Sequence, residues 1–211
     1  FASLATDLGR TTAELHTALR RAIPVSAVPA APMAGADPDE TPGRAQARQV
    51  VATLHERAEA AFARVPELAD RATAVHAAYD RLDLLATMPT LQRVHGDYHL
   101  GQVLRSGGRA PDAAGEPDDA ARAPGRWYVL DFEGEPQAPA HEKTRPDLAL
   151  RDLAGMLRSL DYAAAVGGAR DPLWLAQARE SLITGYEGAA GGTPDLAVIL
   201  PALELDKALY E

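Results

Sequence analysis

The tightest constraint on this chain is a pair of short segments near its middle. The first, from Arg93 to Leu104, reads RVHGDYHLGQVL; the second, from Trp127 to Pro136, reads WYVLDFEGEP. The first sets Asp97 in a His-Gly-Asp loop, where Gly96 permits a tight backbone. A carboxamide, Gln102, follows five residues later, and an apolar strand runs on from it. The second segment is an apolar strand ending on Asp131, with Gly134 just beyond. The stretch between them is rich in Gly, Pro, Asp and Ala and reads as a long flexible hairpin tip. Strands are expected at 100–105 and 127–131, with the tip at 106–126. One end of that hairpin then carries an aspartate on entry, an amide, and a second aspartate on exit.

Helical periodicity surrounds this hairpin. Leu8 to Leu19 places Leu8, Leu15 and Leu19 on one stripe, and His16 is expected to be a satisfied, partly exposed histidine. Ala22 to Arg44 contains Pro24, Pro29, Pro32, Pro38 and Pro42 and reads as a loop. Ala45 to Ala63 and Leu68 to Leu85 are expected as two long helices forming a platform ahead of the motif. His55 and His76 on them have no metal-ligand spacing and read as surface or boundary residues. Ala138 to Pro146 is irregular. Asp147 to Val166, Leu173 to Tyr186 and Ala197 to Tyr210 complete the helical set, with Gly167-Gly168, Gly188 and Gly191-Gly192 as stops. Trp127 and Trp174 read as packing residues.

Composition removes several function classes. The 211 residues are 46% hydrophobic, enough for a real core in one domain or one large lobe. A net charge of −9 without a basic stripe argues against a general nucleic-acid binder. There is no cysteine, which excludes disulfides, thiolate metal sites and thiol catalysis together and fits a cytoplasmic protein. No apolar run approaches the roughly 20 residues of a membrane span.

Strand–loop–strand hairpins with this residue set are how kinases hold a hydroxyl nucleophile beside metal-bound ATP. The hydroxyl must be oriented and its proton accepted, which is the task assigned to Asp97. Gln102 offers a carbonyl oxygen and Asp131 a carboxylate, the hard oxygen donors that Mg²⁺ demands. His95 is expected to brace the loop by hydrogen bonding, and His99 to be structural. Asp147 and Asp152 are expected to cap or brace the following helix and the loop.

HGDYHLGQVL followed by VLDFEGEP resembles the aminoglycoside-phosphotransferase-like kinases, whose usual loop is His-Gly-Asp-x-x-x-x-Asn. Gln102 stands where that pattern has Asn. Together with DFEGEP and RDLAGMLRSLDYAA, from Arg151 to Ala164, it makes the chain similar to the actinobacterial maltokinases. LGRTTAELHTAL resembles the first helix after the interlobe hinge, and ELDKALYE, from Glu204 to Glu211, resembles the last long helix. The resemblance implies an α+β, mostly α fold: the C-lobe of a protein-kinase-like fold over 1–211, with a small active-site β hairpin and insertions at about 22–44 and 106–126. It implies ATP and Mg²⁺ as cofactors, Asp97 as catalytic base, and Gln102 and Asp131 as Mg²⁺ ligands. His95 and Asp152 would give structural support. Glu133 would lie beside metal and acceptor, and Lys143, Lys207 and Tyr210 are possible sugar contacts. For Lys143 a solvated loop charge is the better reading; for Lys207 and Tyr210, three apart on one helical face, salt bridging and packing serve equally well. The implied reaction is phosphorylation of maltose to maltose 1-phosphate, feeding α-glucan and glycogen synthesis, with a trehalose synthase, fused or separate, as a possible partner. The alternatives are the same fold with another acceptor (glucosamine, another amino sugar or an aminoglycoside) and a non-catalytic kinase-like module.

No glycine-rich nucleotide loop and no strand lysine paired to a helix glutamate stand in the sequence. These parts cradle the phosphates and adenine, so the expectation is of a missing N-lobe supplied in cis. The isolated chain should then bind ATP weakly and turn over poorly or not at all. Clear turnover by the 211 residues alone, in a coupled ADP-release assay, would contradict that expectation.

Overall fold

A computed structural model describes residues 1–25, 41–85, 88–107, 125–134, 139, 143–168, 171 and 173–210. The expected loop at 22–44 and hairpin tip at 106–126 fall largely outside them. Helix α1 spans Ala2–Ala22, α2 Pro42–Arg64, α3 Ala72–Asp83, α4 Leu150–Gly167, α5 Trp174–Ala190 and α6 Leu196–Tyr210. Strands β1 (Val103–Ser106) and β2 (Arg126–Val129) pair antiparallel, with Val103 opposite Val129 and Ser106 opposite Arg126. Among the described residues no helix is long and apolar enough to cross a membrane.

Local chemistry sets the helix ends. α1 closes on Arg20 and Arg21, cations that oppose its C-terminal partial charge. α2 begins three residues earlier than periodicity suggested. The Thr41 hydroxyl caps it by accepting the Arg44 N–H at 3.4 Å, and a proline costs nothing at a first position that has no intrahelical partner. Pro42 is thus a helix start, where the sequence reading treated it as a breaker. The helix expected from Leu68 begins instead as a 3₁₀ turn, Pro66–Arg71, before α3. α4 and α5 end where Gly168 and Gly191 enter the left-handed region at φ 57° and 78°. Gly188, expected as a stop, lies inside α5.

Two packing units meet beneath the hairpin. α1 lies against α5, and α4 against both α5 and α6; α2 and α3 pair with each other and pack on α6. Leu54, Leu82, Leu153, Met156, Leu157, Leu182, Ile199 and Leu203 form the fully buried centre. At the α1–α5 crossing the helices meet backbone to backbone. A Cβ on Gly9 would stand 2.0 Å from the Leu182 carbonyl oxygen, and one on Gly185 would stand 2.0 Å from that of Thr6. The two glycines therefore set the distance of the crossing.

Gly9→Ala should force these helices apart and cost about 1–3 kcal/mol, the usual penalty of overpacking. Gly43→Ala, on α2 with nothing within 4 Å of its would-be Cβ, should be neutral or slightly stabilising. Urea unfolding of both variants checks the contrast; equal midpoints would remove the packing argument.

Candidate active site

The loop 95–97 is held from below by a buried carboxylate. Asp152, in the first turn of α4, is 1% exposed. Its Oδ2 accepts the His95 N–H at 2.7 Å and its Oδ1 accepts the Gly96 N–H at 2.9 Å. His16 Nε2 lies 3.0 Å from Oδ2, and the Tyr186 hydroxyl lies 3.0 Å from His16 Nδ1. Burial opposes ionisation of Asp152, but the bonds and charge from His16, with the two backbone N–H groups, outweigh it and hold the carboxyl below its usual range. As an ionised acceptor, Asp152 requires the proton on His16 Nε2. Burial likewise pushes the Tyr186 hydroxyl up to about 12, so it stays protonated at neutral pH. His16 is thus buried and doubly partnered, contrary to its expected partial exposure. A Cβ on Gly155 would stand 2.7 Å from the Tyr98 carbonyl oxygen, so a glycine here lets α4 lie close beneath the loop.

α1 supplies further braces. Thr12 donates to the Leu8 carbonyl at 2.8 Å and therefore accepts from the Tyr98 hydroxyl, 3.0 Å away. The Tyr98 hydroxyl is raised to about 12 by burial. Gln92 donates to the His16 carbonyl at 3.0 Å, and its backbone exchanges two 2.9 Å bonds with Asp147.

His95 joins the two halves of the motif. Its Nε2 lies 2.7 Å from the Leu130 carbonyl, which only accepts, so Nε2 carries the proton. Nδ1 is then the acceptor that faces the Asp97 N–H at 3.3 Å. One neutral ring thereby spans from the residue before Asp131 to Asp97. Asp131 itself takes φ 56°, a left-handed conformation that Asp tolerates better than most residues. This turn ends the pairing at Val129, short of the strand end expected at 131. Residues 100–102 form a 3₁₀ turn ahead of β1, where strand was expected. Gln102 Nε2 donates to Asp131 Oδ2 at 3.3 Å, which leaves the amide oxygen uncommitted to that contact. His99 accepts the Gly101 N–H on Nδ1 at 3.0 Å, so its Nε2 bears the proton of the neutral ring, 3.8 Å from Asp97 Oδ2. Its extended backbone, φ −150°, puts residues two apart on one side, a signal the sequence already held.

Beside the loop opens a cavity of about 800 Å³. Gly96 and Tyr98 line it next to Asp97, and Lys143, Lys207 and Tyr210 line it from other elements. Lys207 Nζ sits over the Tyr210 ring at 5.3 Å. Lys143 thus faces a cavity, where a solvated loop position was the better expectation. Glu133 occupies the exposed turn after Asp131 and is not a lining residue. The cavity is also framed by charges that sequence reading missed. Asp206 on α6, 3% exposed, accepts from Arg57 of α2 at 2.9 Å and from Arg151 of α4 at 2.6 Å. Arg151 also pairs with Asp147 at 2.6 Å. Burial alone would lower the Arg151 pKa, but the two carboxylates hold it above its usual value.

The phosphotransferase enzyme family profile, APH, matches residues 2–111, just over half of the chain. The chain belongs to the APH phosphotransferase enzyme family. It is 34% identical over 116 residues to a glucosamine kinase of Streptacidiphilus jiangxiensis, covering 51% of this chain and 22% of that protein. It is 39% identical over 92 residues to a glucosamine kinase of Mycolicibacterium smegmatis, covering 44% and 18%. A solved glucosamine kinase in complex with glucosamine, ADP and inorganic phosphate superposes with TM-score 0.68 at 27% identity, over 100% of this chain and 46% of that one. A second crystal form of glucosamine kinase matches at 0.68 over 48% of its chain. This APH chain therefore spans about a fifth of the curated relatives it matches and a little under half of the solved ones. The expected fold holds: mostly helical with a small two-stranded sheet, as in the C-lobe of a kinase-like fold.

Asp152→Asn keeps the shape and removes the charge, which should cost about 2–4 kcal/mol at neutral pH. A depressed carboxyl stabilises fully above its ordinary value, 3.8, and loses that contribution as pH falls through its lower folded value. The stability gap between the parent and Asp152→Asn should therefore narrow in acid. Denaturant titrations from pH 7 downward test this; a gap independent of pH would rule out the carboxylate charge as its source.

Proposed function

We propose that this chain is the acceptor-side lobe of an ATP-dependent sugar kinase, and that its acceptor is glucosamine or a related amino sugar. The observation that carries the reaction type is the joint geometry of Asp97, Gln102 and Asp131 around His95, in a loop whose Gly96 and Tyr98 line a sugar-sized cavity. The acceptor rests on the relatives, glucosamine kinases by name and, in one solved case, by bound glucosamine. Maltose, favoured by the DFEGEP motif and Gln102, is the second reading.

In this reading Asp97 orients the acceptor hydroxyl and takes its proton as the phosphoryl group transfers. His95 fixes the backbone N–H of Asp97, and the His99 N–H faces Oδ2 of the Asp97 carboxylate. Both restrict the directions in which Asp97 can point. Asp131 and the Gln102 carbonyl oxygen form a donor set of hard oxygens suited to Mg²⁺. That ion, when bound with ATP, would offset the charge of the phosphates. Glu133, two residues beyond Asp131, stands on the metal side. Lys143, Lys207 and Tyr210 contact the sugar from the cavity wall. The phosphate-cradling elements belong to a second lobe of a longer protein.

The test is ATP-dependent transfer by the full-length gene product to glucosamine, maltose, glucose and an aminoglycoside, with ³¹P NMR of the products. Asp97→Asn should lower turnover about 10²–10⁴-fold with the fold intact. Phosphorylated glucosamine, lost in that variant, is the expected result. An anomeric phosphate on maltose would replace the acceptor and keep the mechanism. Asp97→Asn retaining near-full activity would sink the mechanism.

A further inference from the structure

His55 on α2 and His76 on α3 meet where these helices pack, away from the loop 95–97. Their Nδ1 atoms are 2.6 Å apart. The ring centroids stand 4.8 Å apart with planes 22° from parallel. That separation is close to the N···N gap plus two ring radii, so the rings meet edge to edge with their Nδ1 lone pairs facing. Each Nε2 turns to a carboxylate, His55 to Asp80 at 3.0 Å and His76 to Glu59 at 2.9 Å. Edge contacts fix the ring planes, His55 on Tyr79 at 5.6 Å and His76 on Phe62 at 5.8 Å.

Counting protons gives this cluster its chemistry. Carboxylates only accept, so both Nε2 atoms carry hydrogen. Two neutral rings would then set two bare lone pairs against each other. One proton shared between the Nδ1 atoms relieves that contact, and the four side chains together carry a charge of −1. Each histidine already has the arrangement that orients metal-binding imidazoles: one nitrogen bonded to a carboxylate, the other presented as a lone pair.

We propose that His55 and His76 form a binding site for a divalent, nitrogen-preferring transition metal ion such as Zn²⁺, which replaces the shared proton. The exchange balances: one M²⁺ enters, one H⁺ leaves, and the cluster goes from −1 to neutral. Among the described residues no group of three or more His, Cys, Asp or Glu is placed to hold a metal ion. The site is therefore a two-nitrogen chelate completed by water. With Zn–N bonds of about 2.0 Å at a tetrahedral angle, the nitrogens stand about 3.3 Å apart and each ring tilts by about 35° from the facing arrangement, a rearrangement open to two side chains that are each 28% exposed. Imidazole donors do not select Mg²⁺, so the site is chemically distinct from the oxygen pair of Gln102 and Asp131. It does not depend on the phosphotransfer reading.

The experiment is calorimetric titration of Zn²⁺ into the purified 211-residue chain with Mg²⁺ in excess, repeated in buffers of different ionisation enthalpy. The expected result is one Zn²⁺ per chain with about one proton released. His55→Ala and His76→Ala should each abolish binding, and His76→Gln, which keeps a polar side chain of similar size, should do the same if an alanine variant misfolds. Asp80→Asn and Glu59→Gln should each weaken binding about tenfold through the lost outer hydrogen bond. Zn²⁺ binding that survives loss of both histidines, binding without proton release, or no binding at all would each overturn the proposal.

Discussion

The buried charge of Asp152 is the interaction on which the rest depends. Placing a carboxylate at 1% exposure costs several kcal/mol unless its oxygens are satisfied. Here satisfaction requires three other parts of the chain at once: the backbone of His95 and Gly96, the ring of His16 on α1, and through that ring the hydroxyl of Tyr186 on α5. The partners stand 57, 56 and 136 positions apart in the three bonds that hold the carboxylate, and 170 in the one behind them. None can leave without stranding a buried polar group. The loop is therefore rigid because the helices are assembled, and the close α1–α5 crossing at Gly9 and Gly185 becomes a condition on the loop geometry.

From there the constraint passes outward by a single ring. Asp152 fixes the His95 backbone, and the His95 side chain reaches the Leu130 carbonyl on one nitrogen and the Asp97 N–H on the other. The tautomer follows from the chemistry of the acceptor. A protonated ring would lose its bond to the Asp97 N–H, and the opposite tautomer would lose Leu130. The left-handed backbone of Asp131 then turns its carboxylate to Gln102, where a continuing strand would have alternated it away. Asp97 and Asp131 are thus set by one brace, although 34 positions separate them in the chain.

This explains what the sequence could and could not disclose. Asp97 and Gln102 were legible because they lie five apart in one short segment, and Asp131 because it ends an apolar run. The helices were legible from periodicity, and their boundaries only where the cap was recognised; Thr41-Pro42 was missed because proline was read as an interruption. His16 was misjudged because a lone polar residue on a helix reads as exposed. Its position four after Thr12 and eight after Leu8 puts it on the buried face that Ala5 and Leu8 begin. The His55–His76 pair needed the packing of two helices, for which a spacing of 21 residues gives no sign. The end of β2 depends on one positive φ, which no apolar pattern encodes.

The division between chemistry and acceptor choice follows the same line. The loop, the hairpin end and their braces draw on α1, α4, α5 and two short segments of sequence. The cavity wall draws on Arg57 and Arg64 of α2, Lys143 and Arg145 ahead of α4, and Asp206, Lys207 and Tyr210 of α6. Arg151 and Asp152 are neighbours in sequence and both line the cavity, but they hold different parts of it. Arg151 ties the wall together through Asp147 and Asp206, while Asp152 holds the loop. A motif in one run of residues reports a reaction type. A wall gathered from three elements reports an acceptor only once those elements are packed, and this is why glucosamine and maltose were both open to a reader of the sequence. Within the wall, the described carboxylates are already committed, Asp206 to two arginines, Asp147 to one, and Asp152 to His16 and the loop backbone.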